Sequence, residues 1–379
     1  MKSTKLFLIY LLTLCLTQCA EKSKPVENNS TPYKVIAYVN SLQDNWGVNK
    51  EKANQITHIN YAFANIKNGR IVEGDSTDYE TLKKLNDFKE INPDLKILIS
   101  VGGWGWSGNF SDAVLTPESR EVFANSAIDF MLRHEIDGVD LDWEYPGLPG
   151  AGNTHRPEDK ENFTAILKLI RSKMDSIGGS ENHYLLTIAT GASQRYLDHT
   201  NMEEAQKYLD FINIMTYDFH GGGNRVTGHH SNFTHSPNDP DLRARSVKIA
   251  VDQHINAGIP IEKLVLGVPF YGRWWKGAYP ENNGLFQPTY GPTGATNYFQ
   301  LADSIRLDPE FEEFWDEGSQ APFIYRKADS LFVTYENSKS LELKINYIID
   351  QNMGGIMFWQ FNGDNGDLLD VISKKLVKN

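Results

Sequence analysis

Residues 137–146 read Asp137-Gly138-Val139-Asp140-Leu141-Asp142-Trp143-Glu144-Tyr145-Pro146. Asp140, Asp142 and Glu144 alternate strictly with Val139, Leu141 and Trp143. In an extended chain that period sends the three carboxylates to one face and the apolar side chains to the other, so a strand is expected over 138–144. Like charges at such close range push at least one pKa upward and keep a proton available near neutral pH. A carboxylic acid held protonated is what protonation of a leaving glycosidic oxygen requires. The same spacing would also suit a buried acid network tied to Arg or Lys, or a hard-oxygen metal site, and by itself it leaves all three open.

Outward from this stretch, short β-branched or apolar runs recur between longer amphipathic ones. Eight strands are expected, over 34–39, 58–63, 96–101, 138–144, 184–189, 211–217, 264–269 and 355–359. Thr116 before Pro117 marks a helix start, followed by Phe123, Ala127 and Phe130 at helical spacing. Phe163, Ile166, Ile170 and Met174 form a second stripe, and a further helix over 247–255 stops at Gly258 and Pro260. Strands alternating with helices predict a parallel sheet, and eight such units an α/β (β/α)8 TIM barrel with its site at the C-terminal strand ends. About 85 residues separate the seventh and eighth strands, far more than a βα crossover needs. Strand-like pieces at 322–326 and 331–335, with Trp274, Trp275, Tyr290 and Trp315, make residues 274–340 a small α+β insertion walling one side of the cleft. The barrel then comprises 33–273 and 341–379.

The chain has 379 residues, 40% hydrophobic and 12% aromatic, enough for a large core, and a net charge of -12. That balance argues against nucleic acid or an anionic surface as partner and for a neutral or cationic substrate. Lys2 and Lys5 precede the apolar run Leu6 to Leu16, which is too short to span a bilayer, so residues 1–19 read as a targeting segment and 20–32 as a linker. Leu16-Thr17-Gln18-Cys19 resembles a bacterial lipoprotein signal, with Cys19 as the lipidated residue, although Gln18 departs from the small residue usual there. The expectation is export, as a membrane-anchored lipoprotein at the cell surface or in the periplasm, with plain secretion as the alternative. Both cysteines, Cys15 and Cys19, fall in this segment, so no disulfide or cysteine-based metal site is expected in the fold.

The acidic run resembles the signature of family 18 glycoside hydrolases, the chitinases and their relatives. Ser100-Val-Gly102-Gly103-Trp104 is similar to the family's third-strand motif, Met215-Thr-Tyr217-Asp218-Phe-His220-Gly221 to its sixth, Val268-Pro-Phe-Tyr271-Gly-Arg273 to its seventh and Gly354-Gly-Ile-Met-Phe-Trp359 to its eighth. The resemblance covers nearly the whole chain after the targeting segment, in the expected order. It implies hydrolysis of β-1,4 bonds between N-acetylglucosamine units, with retention, through an oxazolinium formed by the substrate's own acetamido oxygen, an exception to the two-carboxylate scheme. Glu144 is then the general acid and base, Asp142 the acceptor for the acetamide N–H, Asp140 the modulator of Asp142, and Tyr217 the hydroxyl that holds the acetamide oxygen.

Met215 is implied as the lining of the acetamide pocket, Asp218 as a partner for sugar or a neighbouring acid, and Trp359 as an aromatic floor. Tyr38, Phe63, Gly103, Trp104, Tyr271 and Arg273 complete the implied sugar contacts. Ser100 is placed to donate to Asp140, and Asp137, off the alternation, to fix the strand entry. Many chitinases carry a Trp two residues after the His-Gly of the sixth motif, where this chain has Gly221-Gly222-Gly223-Asn224. That departure suggests weaker leaving-side binding and short or differently decorated chains. His220, His229 and His230 in this Gly-rich stretch read as solvated or sugar-contacting rather than as metal ligands. No cofactor or metal is implied, and the expected partner is chitin or its oligosaccharides, bound by a monomer that meets a membrane only through its N-terminal lipid. The competing readings are an endo-β-N-acetylglucosaminidase acting on N-glycans or peptidoglycan, and a non-catalytic chitin-binding lectin; such lectins usually lack the Glu that Glu144 supplies here.

Overall fold

The computed structural model describes residues 33–40 and 50–377. The targeting segment, the linker and Cys19 lie outside the described residues. Fourteen strands occur among those described: β1 Lys34–Asn40, β2 His58–Lys67, β3 Arg70–Val72, β4 Lys96–Gly102, β5 Gly138–Asp142, β6 Leu185–Gly191, β7 Phe211–Met215, β8 Leu264–Pro269, β9 Tyr271–Trp275, β10 Thr293–Asn297, β11 Phe311–Asp316, β12 Ala321–Arg326, β13 Leu331–Thr334 and β14 Gly355–Trp359. Eight of them run in the order β1-β14-β8-β7-β6-β5-β4-β2, and β1 also pairs with β2, which closes the ring. All eight pairings are parallel. The fold is therefore a (β/α)8 barrel, with β3 added antiparallel to β2.

The helices outside the ring form where the apolar spacing predicts them. Pro117–Arg133 starts on a capping box in which the Thr116 hydroxyl accepts from the Ser119 backbone N–H and the Ser119 hydroxyl accepts from that of Thr116. Asp159–Gly178 buries Phe163, Ile166, Ile170 and Met174, and Val247–Asn256 opens on Ser246. Val139, Leu141 and Trp143 point outward into this helix layer, where the Trp143 ring stacks on Phe110 at 5.1 Å. The alternation of β5 thus divides the strand into a wall for the core and an acidic lining for the barrel.

Between β8 and β14, strands β10-β9-β13-β12-β11 form a second, antiparallel sheet. One face is closed by Trp275, Phe323, Tyr325 and Phe332, and the helix Tyr298–Leu307 follows β10. Ala295, Thr296 and Asn297 of β10 and Gln300 of that helix reach the cleft of the barrel. No helix among the described residues is long and apolar enough to cross a membrane.

Two barrel strands end sooner than the alternation suggests. β5 stops at Asp142 rather than continuing to Glu144, because the Ser107 hydroxyl replaces the ladder: it accepts from the Glu144 N–H at 2.9 Å and lies 3.1 Å from the Asp142 carbonyl. β7 stops at Met215 rather than Tyr217, since the N–H groups of Thr216 and Tyr217 turn back onto the carbonyls of Ile214 and Met215. The acid and the tyrosine of interest therefore sit just past their strands, on backbone that has left the sheet.

Candidate active site

At the C-terminal ends of the strands lies a cleft of about 1160 Å³, and Asp142, Glu144, Met215, Tyr217 and Trp359 all line it. Asp140 lies beneath, fully buried, with a donor on every side. Its Oδ2 accepts from the Tyr38 hydroxyl at 2.8 Å and from Ser100 at 2.7 Å; its Oδ1 accepts from Thr187 at 2.6 Å and more distantly from Asn213 at 3.4 Å. Burial raises the Asp140 pKa although these donors oppose it.

Asp142 has no such support. It is buried, its Oδ1 has no hydrogen-bond partner, and its pKa is pushed well up, first by burial and then by the charges of Glu144 and Asp140. Glu144 is pushed up to about 7, again chiefly by burial and further by the charge of Asp218, while Tyr145 pulls the other way. The barrel thus holds a graded column of acids: a solvated-by-protein Asp140 at the bottom, an under-partnered Asp142 above it, and Glu144 where a ligand can reach it. Such a column retains a proton at neutral pH.

The remaining expected residues fall into two groups. Phe63, Trp104, Asp218, Tyr271 and Arg273 line the cleft with Trp359. The Phe63 ring stacks on Trp359 at 5.4 Å, and Trp104 is 58% exposed at the rim. Tyr217 lies edge-on to Tyr271, and its hydroxyl reaches the Met357 sulfur at 4.0 Å. Tyr38 and Gly103, in contrast, do not line the cleft. Tyr38 is 2% exposed and spends its hydroxyl on Asp140. Gly103, at φ +71°, lies under the Phe63 ring, which a Cβ there would strike. Both support the cleft from below rather than offering it a surface.

Asp218 lines the cleft and, within the protein, is held by a cation. The Arg273 guanidinium grips it in a two-pronged contact at 2.8 and 2.7 Å, with His230 at 3.7 Å behind. Burial alone would raise its pKa, but His230 and Arg273 hold the carboxyl well below the usual range. His220, His229 and His230 are buried, not solvated, and no sugar-facing role is open to His220 and His229, which meet Asp239 at 3.1 Å and Asp316 at 3.3 Å. The glycines beside them in sequence suggest a loop in water; the distant acids that pair with the rings are not visible at that range. Asp137 accepts from the Ile97 N–H at 2.8 Å and pairs with Lys89 at 2.7 Å, at the entry of β5. No group of three or more His, Cys, Asp or Glu among the described residues is arranged to hold a metal ion.

Sequence reasoning did not find Ser107 or Thr187, and alternation puts Asn213 on one face with Met215 and Tyr217 without giving it a role. Thr187 is the register partner of Asp140 on β6, and the alternation of that strand could have pointed to it. Ser107 lies on a short turn after β4, and nothing in the local sequence ties it to Glu144.

Comparison with known proteins gives a consistent picture. The model of glycosyl hydrolases family 18 matches residues 34–364. Chitinase A1 of Niallia circulans is 35% identical, over 97% of this chain and 62% of that protein's length. An N-acetylglucosaminidase of glycoside hydrolase family 18 from Paenibacillus barengoltzii superposes with a TM-score of 0.84 at 40% identity, covering 91% of this chain and all of that one. A chitinase from Bacillus thuringiensis superposes at 0.85 with 33% identity, covering 92% of this chain and 71% of that one.

Proposed function

The chain belongs to family 18 of the glycosyl hydrolases and is a glycoside hydrolase, and we propose that it cleaves β-1,4 bonds between N-acetylglucosamine units of chitin or its oligosaccharides. Glu144 protonates the bridging oxygen and then takes a proton from the incoming water. Asp142 accepts the acetamide N–H and stabilises the positive charge of the oxazolinium, while the Tyr217 hydroxyl holds the acetamide oxygen in line for attack. Asp140, held by its four donors, sets the charge that Asp142 feels. Trp359 offers an aromatic plane to the apolar face of the sugar, and Met215 lines the pocket for the acetamide methyl.

The observation that carries this reading is the unpartnered, buried Oδ1 of Asp142 two residues from Glu144. A buried acceptor without a donor is unfavourable by about 1–3 kcal/mol unless something supplies one. An acetamide N–H would supply it and bring an acetamide oxygen with it for attack, whereas the 2-hydroxyl of a plain glucose unit could donate but offers no such nucleophile. Product analysis on chitohexaose, chitin, a high-mannose glycopeptide and peptidoglycan tests the substrate, and the anomeric form of the first product tests retention. Glu144→Gln is expected to retain oligosaccharide binding and lose nearly all turnover; hydrolysis at the native rate by that variant would sink the assignment.

The similarity to the Paenibacillus N-acetylglucosaminidase along that enzyme's whole length favours a second reading, release of single N-acetylglucosamine units from short chains. The absence of an aromatic residue at Gly222–Asn224 also fits short substrates. Monomer as the first product from chitohexaose would select it over release of larger fragments. We further place the enzyme outside the cytoplasm, attached through Cys19. Metabolic labelling with a fatty acid, abolished in Cys19→Ser, is the check.

A further inference from the structure

Tyr217 stands on backbone that has left the sheet, so contacts from outside β7 must fix its aim. The peptide plane between Thr216 and Tyr217 is gripped on both edges. Its N–H donates to the Met215 carbonyl at 2.8 Å, and its carbonyl, that of Thr216, accepts from the Ser231 hydroxyl at 2.8 Å. Because a peptide unit is rigid and planar, holding both edges sets the direction in which the chain enters Tyr217. The Thr216 hydroxyl ties the same residue to the Gly267 carbonyl of β8 at 2.5 Å. Beyond Tyr217, the Phe219 N–H donates at 3.0 Å to the carbonyl of His230, the residue before Ser231. Residues 216–219 are thus laced to β8 on one side and to residues 230–231 on the other.

Ser231 is itself held by a charge. Lys344, on the helix Ser338–Gln351, is 0% exposed. Its ammonium donates to the Ser231 carbonyl at 2.7 Å, to the Ser231 hydroxyl oxygen at 2.8 Å and to the Glu336 carboxylate. An ammonium has three protons, and here each has an acceptor. The consequence for Ser231 is geometric: a hydroxyl carries one proton, and with Lys344 donating to its oxygen that proton has to point elsewhere. It points at the Thr216 carbonyl. Glu336 is 1% exposed, lies two residues past β13, and its other oxygen accepts from Ser340 at 2.6 Å. A buried ion pair often adds little net stability over an apolar pair of the same size. Stability alone therefore does not account for enclosing Lys344 and Glu336 here; what the pair provides is a fixed direction for one hydroxyl.

We infer that, given the role proposed for Tyr217, Lys344 and Ser231 are its positioning residues. Through them the exit of the inserted sheet, at Glu336, sets the aim of the hydroxyl that holds the acetamide oxygen. Neither Lys344 nor Ser231 lines the cleft, and both act through the Thr216 carbonyl.

A double-substitution cycle on kcat with chitohexaose tests this. Tyr217→Phe is expected to lower kcat by about 100-fold, the scale of a lost transition-state donor. Ser231→Ala leaves Lys344 the Ser231 carbonyl and Glu336 as partners. It should lower kcat by about tenfold, within the reach of a misplacement of under about 1 Å, and change KM by less than about twofold. In the Tyr217→Phe background, Ser231→Ala should change kcat by less than about twofold, because the aim of an absent hydroxyl cannot matter. A merely structural role for Ser231 gives the same factor in both backgrounds, and that result overturns the inference, as does native kcat in Ser231→Ala. Lys344→Met with Glu336→Leu removes both ions together and leaves neither buried and unpaired. Its kcat should fall as in Ser231→Ala, again only where Tyr217 is present, and native kcat in that protein overturns the part assigned to Lys344. The Ser231 cycle decides whether or not the doubly substituted protein folds. Native kcat in Tyr217→Phe would overturn the role proposed for Tyr217 together with this inference, whereas a loss there with purely multiplicative effects overturns the inference alone.

Discussion

Glu144 carries the most specific chemical expectation of any single residue. With its carboxyl pushed up to about 7, the protonated form dominates below that value and is lost as pH rises through it. A general acid must be protonated, so kcat is expected to fall on the alkaline side with an apparent pKa near 7, read from the pH profile on a soluble oligosaccharide. A flat profile from pH 5 to 9 would remove Glu144 from the role. Asp142→Asn should lower kcat by about 100-fold to 1000-fold, the scale of a lost charge-stabilising group, with a smaller change in KM. Unchanged turnover would mean that the acetamide does not act as nucleophile. The placing of Asp140 and Asp142 on one face of β5, with Glu144 following just past its end, was legible from alternation, because the period of a strand is a local property. The partners of Asp140 were legible only in part: Ser100 and Asp140 are register partners on neighbouring strands, whereas Tyr38 hid its role behind an aromatic ring that suggested sugar.

The ends of the elements were harder to read than their existence. Apolar periodicity continues through Trp143 and Tyr145, so it carries β5 two residues too far; what stops the strand is a hydroxyl from elsewhere in the chain. Ser107 has one proton, shared between the carbonyls of Gly103 at 2.9 Å and Asp142 at 3.1 Å, and accepts from the Glu144 N–H. Ser107→Ala leaves that buried N–H unsatisfied, an expected loss of about 1–3 kcal/mol in urea unfolding. It also frees the turn that aims Glu144, so kcat should drop while the protein still folds. Wild-type turnover in a destabilised Ser107→Ala protein would show that the turn is held by other contacts. The helix starts behave differently, since their determinants are contiguous. Thr116 and Pro117 are adjacent and mark the start in the sequence itself, and Ser119, within the same four residues, completes the cap.

At the level of the whole molecule, the barrel follows from eight recurring units, while the walls of its cleft do not. Asn297 and Gln300 reach the cleft from the second sheet and its helix, and Arg243 and Arg245 from a long loop after β7. Their placement depends on pairings between segments far apart in sequence, such as β13 with β9. The entire fold also bears the cost of the acid column. For a carboxyl whose ordinary value of 4.5 becomes about 7 in the folded protein, the native state holds a proton that the unfolded chain has already released. Stability therefore falls as pH rises from 4.5 to 7, and the loss is complete above 7. A shift of that size corresponds to on the order of 3–4 kcal/mol. Glu144→Gln keeps the shape and removes the charge, so the variant should be more stable than the native protein at pH 8. The gap should narrow steadily toward pH 4, where both side chains are neutral. Urea midpoints of the two proteins, measured side by side across that range, give the comparison directly. A gap independent of pH would mean that Glu144 is not the group whose proton the barrel retains, and with it would go the physical basis for the alkaline limb of the activity profile.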